Sequence, residues 1–292
     1  MSTHIFNEIE ISAGDVTLNV AVGPAAGPPL VLLHGVSRRW QDWDLLLPAL
    51  SARWQVYALD FRGHGQSGRA PGVYRVVDYV RDAVAVIDSL SAGSIVVFGH
   101  SLGAMVALAA GAERPDRVQA LVLEDPPFET LGPSIRNTAY RNMFAAFGQL
   151  AGATRSVVEL ARELAEVDLS APEHSQRVRL GDLRDESALR FLASCLRQLD
   201  PCTMTSLVEG TWLDGYDLQA LLARVHCPTL LLQGQKLMGS MLGDASAAEV
   251  AGALKNCKLQ KVSGVGHLIH SLKPSETLQL VEDFLQSVSP AK

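Results

Sequence analysis

The sequence is poor in cysteine and in positive charge, and it has no long apolar run. Only four of its 292 residues are cysteine (Cys195, Cys202, Cys227 and Cys257), and no two stand in C-x-x-C spacing. That is too sparse for a disulfide scaffold or a thiolate zinc site. Four reduced thiols and a cytoplasmic location are expected. Lys plus Arg number 25 against 31 Asp plus Glu, a formal net charge of -6, and no basic run departs from that balance. Such a chain has no electrostatic reason to bind a polyanion, so neither nucleic acid nor an anionic membrane surface is an expected partner. No apolar stretch approaches the roughly 18–20 residues that span a bilayer. Met1–Glu8 lacks the basic start and apolar core of a secretory signal.

What is present is core material. Apolar residues make up 48% and charged residues 19%, which argues against disorder. Residues 5–11 and 16–22 alternate apolar and polar positions, as half-buried strands do, with Gly14-Asp15 as the hairpin turn. After Pro28-Pro29 the run Leu30-Val31-Leu32-Leu33 is continuously apolar, as in a strand covered on both faces. Residues 55–59, 94–98, 120–123, 229–232 and 258–262 repeat the theme. Helical stripes lie between them, over 75–90, 102–112 and from Pro274 onward. Strands alternating with helices argue an α/β protein with a mostly parallel sheet and helices on both faces. Residues 127–216 break the rhythm with helical patterns over 142–147, 157–165 and 189–199 and no convincing strand. They read as a helical cap inserted into a core made of residues 1–126 and 217–292.

The strongest local signal is Gly99-His100-Ser101-Leu102-Gly103. It follows a strand and opens a small-residue helix, the setting in which G-x-S-x-G presents a nucleophilic serine on a sharp turn. A turn serine that only caps its helix is the plainer alternative. His34-Gly35 ends an earlier strand, where a bent loop can aim a backbone N–H at a reacting carbonyl. Val36 and Leu102 are then the two oxyanion donors. Gly63-x-Gly65-x-x-Gly68 mimics a dinucleotide fingerprint, but no helix opens on it, so it reads as a structural loop. Among eight histidines, His267 lies on a glycine-rich loop after the last strand and is the expected base. His270, three residues on, is expected to face elsewhere. A His267/His270 metal pair lacks an acidic partner nearby, and His4, His174 and His226 read as surface or structural.

These elements, His34-Gly35, Asp60-Phe61-Arg62-Gly63-His64-Gly65-Gln66-Ser67, Gly99 to Gly103 and Gly266-His267, resemble the α/β-hydrolase fold superfamily in order and spacing along nearly the whole chain. The resemblance implies an eight-stranded, mostly parallel sheet, a helical cap after the sixth strand, a Ser–acid–His triad and a backbone oxyanion hole. It implies no metal and no organic cofactor. It also disfavours epoxide hydrolase and dehalogenase chemistry, since those relatives carry Asp where this chain has Ser101.

The acid departs from the common pattern. Many relatives place Asp a few residues after the strand matching 229–232, where this chain has Leu237 in Gly234-Gln235-Lys236-Leu237-Met238-Gly239. Asp244, the next carboxylate, reads as a helix N-cap. Haloalkane dehalogenases and zearalenone-type lactonases place the acid after the preceding strand, and Asp125 stands 24 residues after Ser101. Glu124 competes, but adjacent strand residues point to opposite faces, so both cannot reach His267. Asp125 is favoured, with Glu124 and Asp244 left as alternatives.

Phe128, Phe144, Trp212, Leu237 and Met238 are expected to line an apolar substrate pocket, though such residues at helical spacing also build cores. Arg38 and Arg39 follow the oxyanion loop and read either as carboxylate holders or as solvated surface. The function expected is a serine hydrolase of a carboxylic ester or lactone of a moderately apolar small molecule. C–C bond hydrolysis, cofactor-free perhydrolysis and a non-catalytic small-molecule receptor are the alternatives. A homodimer is left open.

Overall fold

The computed structural model describes residues 6–91, 93–169 and 178–288. Eight strands form one sheet: β1 (Asn7–Ala13), β2 (Val16–Val22), β3 (Pro29–Leu33), β4 (Gln55–Leu59), β5 (Ile95–His100), β6 (Val118–Glu124), β7 (Thr229–Gln233) and β8 (Cys257–Lys261). Their order is β1-β2-β4-β3-β5-β6-β7-β8. β1 pairs antiparallel with β2, and β2 with β4. Every later pairing is parallel.

Strand alternation divides the core in two. Leu30, Leu32, Val96, Phe98, Val122 and Leu230 point to one side, where Trp43 and the helix Pro274–Val288 cover them. Val31, Leu33, Val97, Leu121, Leu123 and Leu231 point to the other, against the helices Val76–Ser89 and Leu102–Glu113. Each such side chain removed from water contributes about 1.5–3 kcal/mol. That is why the central strands read as unbroken apolar runs.

The edges differ from expectation. β1 is exposed along nearly its whole length, with Ile9 43% accessible; it begins at Asn7, and residue 5, where its alternation starts, lies outside the described residues. β8 also has no fully covered face. Both lie at the rims of the sheet, where only one neighbouring strand exists.

Between β6 and β7 the chain forms the helices Ala139–Leu150, Val157–Ala165, Glu186–Gln198 and Thr205–Glu209, with, among the described residues, one isolated bridge between Asp168 and Arg179. Local chemistry fixes the starts of two of them. Ser156 and Glu159 close a reciprocal capping box, and the Asp185 carboxylate accepts the Ala188 N–H. The helix Leu218–Arg224 then packs back onto Leu102–Glu113. Asp244 is not an N-cap: Gly243 holds that position, and Asp244 opens the helix Asp244–Ala253 while its carboxylate meets Gln233 and Lys261. No helix among the described residues is long and apolar enough to cross a membrane.

Candidate active site

Ser101 sits where β5 ends and the helix Leu102–Glu113 begins, with φ 54° and ψ -115°. An L-residue pays for that backbone, and two glycines make it buildable. A Cβ on Gly99 would lie 2.0 Å from the Gly103 carbonyl oxygen, and one on Gly103 would lie 1.9 Å from the Leu33 carbonyl oxygen. The strand, the turn and the helix therefore close on each other only with glycine at both places. Among the described residues, three non-glycine residues have positive φ: Ser37, Ser101 and Asp125. Strain of this kind gathers at functional sites. Here all three lie at the carboxyl ends of β3, β5 and β6.

Sheet hydrogen bonds run right up to the site. The Ser101 N–H donates to the Glu124 carbonyl at 2.8 Å, and the Asp125 N–H to the Leu232 carbonyl at 2.9 Å. The side chains at these strand ends therefore stand on a rigid lattice rather than on loose loops.

Ser101 opens onto a cavity of about 680 Å³. Val36, His267 and the small residues Gly35, Gly239 and Gly266 share its wall. The Val36 N–H lies on the loop after β3, and the Leu102 N–H opens the helix beneath Ser101. Neither has an acceptor among the described residues. The helix start adds a field that favours negative charge there.

His267 is slightly exposed, and its Nδ1 donates to Asp125 Oδ2 at 2.7 Å. Asp125 is fully buried. Its carboxylate also accepts Ser240 Oγ at 2.6 Å, the Met241 N–H at 2.8 Å and the Gly234 N–H at 3.2 Å. The loop after β7 that lacks an acid thus supplies the donors that hold one. The bond to Nδ1 leaves Nε2 as the free proton acceptor of the ring.

Glu124 serves different partners. It accepts the backbone N–H groups of Ile269 and His270 at 2.8 and 3.1 Å and His270 Nδ1 at 2.9 Å. His100 Nδ1 lies 3.2 Å from the same carboxylate, and His270 Nε2 lies 3.4 Å from Asp42. Burial alone would lower the His270 pKa, but the Glu124 and Asp42 carboxylates push it up to about 10. Burial opposes ionisation of Glu124 too, yet His270 and His100 hold its carboxyl well below the usual range. His100 faces Glu124 but also two other imidazoles, His267 and His270; burial lowers it to about 4, and it stays neutral. His100, Glu124 and His270 could in principle ligate a metal. Glu124 Oε1 is already occupied by two N–H groups and the His270 imidazole, as a buried ion pair, while His100 Nδ1 and His270 Nε2 make no hydrogen bond.

This charged cluster is what the sequence reading missed. A buried Glu–His–Asp set looks like surface charge in one dimension; the signal available was His270 standing i+3 from His267 with Glu124 beside Asp125.

The pocket residues divide. Phe144, Leu237 and Met238 line the cavity, with Leu237 fully exposed at its mouth. Phe128 and Trp212 do not: both are buried in the main core, packed away from the cavity because their side chains fill the interface between the sheet and the added helices. Arg38 lines the cavity, whereas Arg39 turns to Gln198 Oε1 at 2.7 Å. His226 is exposed, and His4 and His174 lie outside the described residues. All four cysteines are free. Burial pushes the Cys195 thiol up to about 12 and those of Cys227 and Cys257 to about 11, so none of these three is an activated thiolate.

Three comparisons with known proteins bear on this site. The chain is 26% identical over 279 residues to 2-(acetamidomethylene)succinate hydrolase of Mesorhizobium japonicum, covering 95% of this chain and 94% of that one. It is 33% identical over 267 residues to (E)-2-((N-methylformamido)methylene)succinate hydrolase of Acinetobacter baylyi, covering 89% and 91%. The crystal structure of E-2-(acetamidomethylene)succinate hydrolase superposes with a TM-score of 0.77 at 23% identity, over 97% of this chain and all of that one. Residues 28–274 match the family model of the α/β hydrolase fold, and the chain therefore belongs to the α/β-hydrolase fold family of hydrolases.

Proposed function

We propose that the protein is a serine hydrolase that cleaves a carboxylic ester or lactone of a moderately apolar small molecule through an acyl-enzyme. One observation carries this reading: Ser101 stands on a strained elbow at the cavity wall that also bears His267, whose Nδ1 is held by buried Asp125 at 2.7 Å. Ser101 Oγ attacks the carbonyl carbon and gives its proton to His267 Nε2. The Val36 and Leu102 N–H groups hold the oxyanion. Asp125 fixes the imidazole tautomer and stabilises the imidazolium. The tetrahedral intermediate collapses, and the alkoxide leaves with the proton from His267. Water, deprotonated by His267, then attacks the acyl carbon and frees the acid and the serine.

The helices of residues 127–216 act as a cap: Tyr140, Met143, Phe144, Phe147 and Leu192 close the cavity from that side with apolar surface. The sparse, unpaired cysteines fit a cytoplasmic location.

A second reading is hydrolysis of an enamide-like or C–C bond on the same residues. The names of the two curated relatives favour the enamide-like form, since each is called a hydrolase of a methylene succinate carrying an acylated nitrogen. The test is hydrolysis of p-nitrophenyl esters, with a fluorophosphonate as the serine-directed probe. Turnover with stoichiometric labelling at Ser101 supports the ester reading. Labelling of Ser101 without ester turnover favours the second reading. Absence of both leaves a receptor.

A further inference from the structure

The charge of the cavity runs against that of the chain. The sequence carries six more acids than bases, yet the cavity wall presents Arg38, Arg184 and Lys236 and, among the described residues, no Asp or Glu. Arg38 lies on the loop after β3, two residues beyond Val36. Arg184 comes from the helical segment on the other side, just before the helix Glu186–Gln198.

The carboxylates nearest the two arginines are shared with, or spent on, other groups. Asp42 lies 3.6 Å from Arg38 but also 3.4 Å from His270, whose second carboxylate is Glu124. Asp185, beside Arg184 in sequence, spends its carboxylate on the Ala188 N–H and Ser187 Oγ of its own helix. Among the described residues Arg184 has no carboxylate within ion-pair distance. Arg38 is further fixed by the Phe191 ring, 5.6 Å from its guanidinium carbon to the ring centroid. Burial first, and then the like charge of Arg38, lower the pKa of Arg184. An anion between the two would relieve both effects, and a guanidinium pair is the arrangement that grips a carboxylate through parallel N–H bonds.

We infer that the cavity is built for an anionic substrate: a small ester whose acyl part ends in a free carboxylate, held by Arg38 and Arg184 while its carbonyl lies at Ser101. Phe144, Phe147 and Leu192 cover the short apolar stretch between the two ends. This rests on the serine hydrolase reading for the reaction but not for the binding, so the two are tested apart.

Binding is measured by calorimetric titration of adipate into the Ser101→Ala protein, alone and with Arg184→Gln or Arg38→Gln added. Adipate should bind, and Arg184→Gln should weaken it tenfold or more. Arg184 is the decisive position, because it holds no internal ion pair that folding depends on. Turnover is measured on monoethyl adipate and ethyl hexanoate, which share a six-carbon acyl chain and differ in the terminal carboxylate. The ratio of kcat/KM for the charged over the neutral ester should exceed tenfold in the wild type and fall by about that factor in Arg184→Gln. Adipate that fails to bind, or binds equally well without the arginines, overturns the anion site even if neutral esters are cleaved. Arginine-dependent binding without cleavage of either ester upholds the site and overturns the ester reading.

Discussion

Glu124 and Asp125 are consecutive residues whose carboxylates meet two histidines three positions apart: Glu124 accepts His270 Nδ1 at 2.9 Å, and Asp125 accepts His267 Nδ1 at 2.7 Å. Strand alternation sends the two side chains to opposite sides, and the left-handed turn at Asp125, φ 46°, lifts the second one toward the cavity wall. One carboxylate anchors the loop that carries the base, and the other orients the base itself.

That division predicts different failures for the two isosteric amides. Asp125→Asn should lower kcat by on the order of 10²–10⁴, because the amide cannot compensate the imidazolium. Its melting temperature should change less than that of Glu124→Gln. Glu124→Gln leaves a buried imidazolium short of a carboxylate, a change that costs about 3–5 kcal/mol. Chemical denaturation and ester turnover on both variants check this. A stable but inactive Glu124→Gln beside an active Asp125→Asn would reverse the assignment of the acid.

The buried histidines set the pH dependence of stability. His270 is raised to about 10, so its contribution is complete below the unfolded value near 6.5 and is lost as pH climbs from there through 10. His34, His64 and His100 are lowered by burial to about 4, 3 and 4. The unfolded chain protonates them first, so stability falls as pH drops below about 6.5. Urea midpoints between pH 5 and 9.5 should peak near neutrality. In His270→Gln the alkaline decline should flatten, and an unchanged alkaline limb would remove His270 from the account.

Ser101→Ala should reduce kcat by on the order of 10⁴–10⁶ while the fold persists. Backbone strain adds a finer expectation. Glycine tolerates φ 54°, so Ser101→Gly, equally inactive, should unfold at a higher temperature than Ser101→Ala, by the equivalent of about 1 kcal/mol or more. Equal melting temperatures would mean that the elbow stores no such strain.

Gly103→Ala tests how tightly the helix is pressed onto the sheet. The added Cβ would meet the Leu33 carbonyl oxygen at 1.9 Å, a backbone atom with no freedom to move aside. Overpacking usually costs about 1–3 kcal/mol, and a clash with backbone belongs at or above the top of that range. The variant should be insoluble or melt far below the wild type; normal expression and melting would show that the helix can slide.

The central strands and the serine turn were legible because their physics is local. A strand covered on both faces must be apolar throughout, and the elbow needs glycine at 99 and 103. The spacing of Asp125 from Ser101 pointed to the carboxylate that lies against His267. The Asp42–His270–Glu124 cluster was not legible, since ionisable residues far apart in sequence reveal their burial only once β6 and the His267 loop are brought together. Nor could periodicity separate Phe128 and Trp212, which fill the core, from Phe144, which faces the cavity: all three sit in the same kind of apolar pattern.

The loop Lys236–Gly239 offers a last consequence. Leu237 projects wholly into solvent and Met238 is about half exposed, while the backbone beyond them is pinned by Ser240 and Met241 to Asp125. Two or three consecutive side chains at the cavity mouth are therefore uncoupled from both the core and the reacting groups. A saturation library over positions 236–238 should retain folded protein in most members and vary mainly in which molecules it admits. The same library over 124–126 should be almost wholly lost. Evolution and the protein engineer have the same cheap place to start.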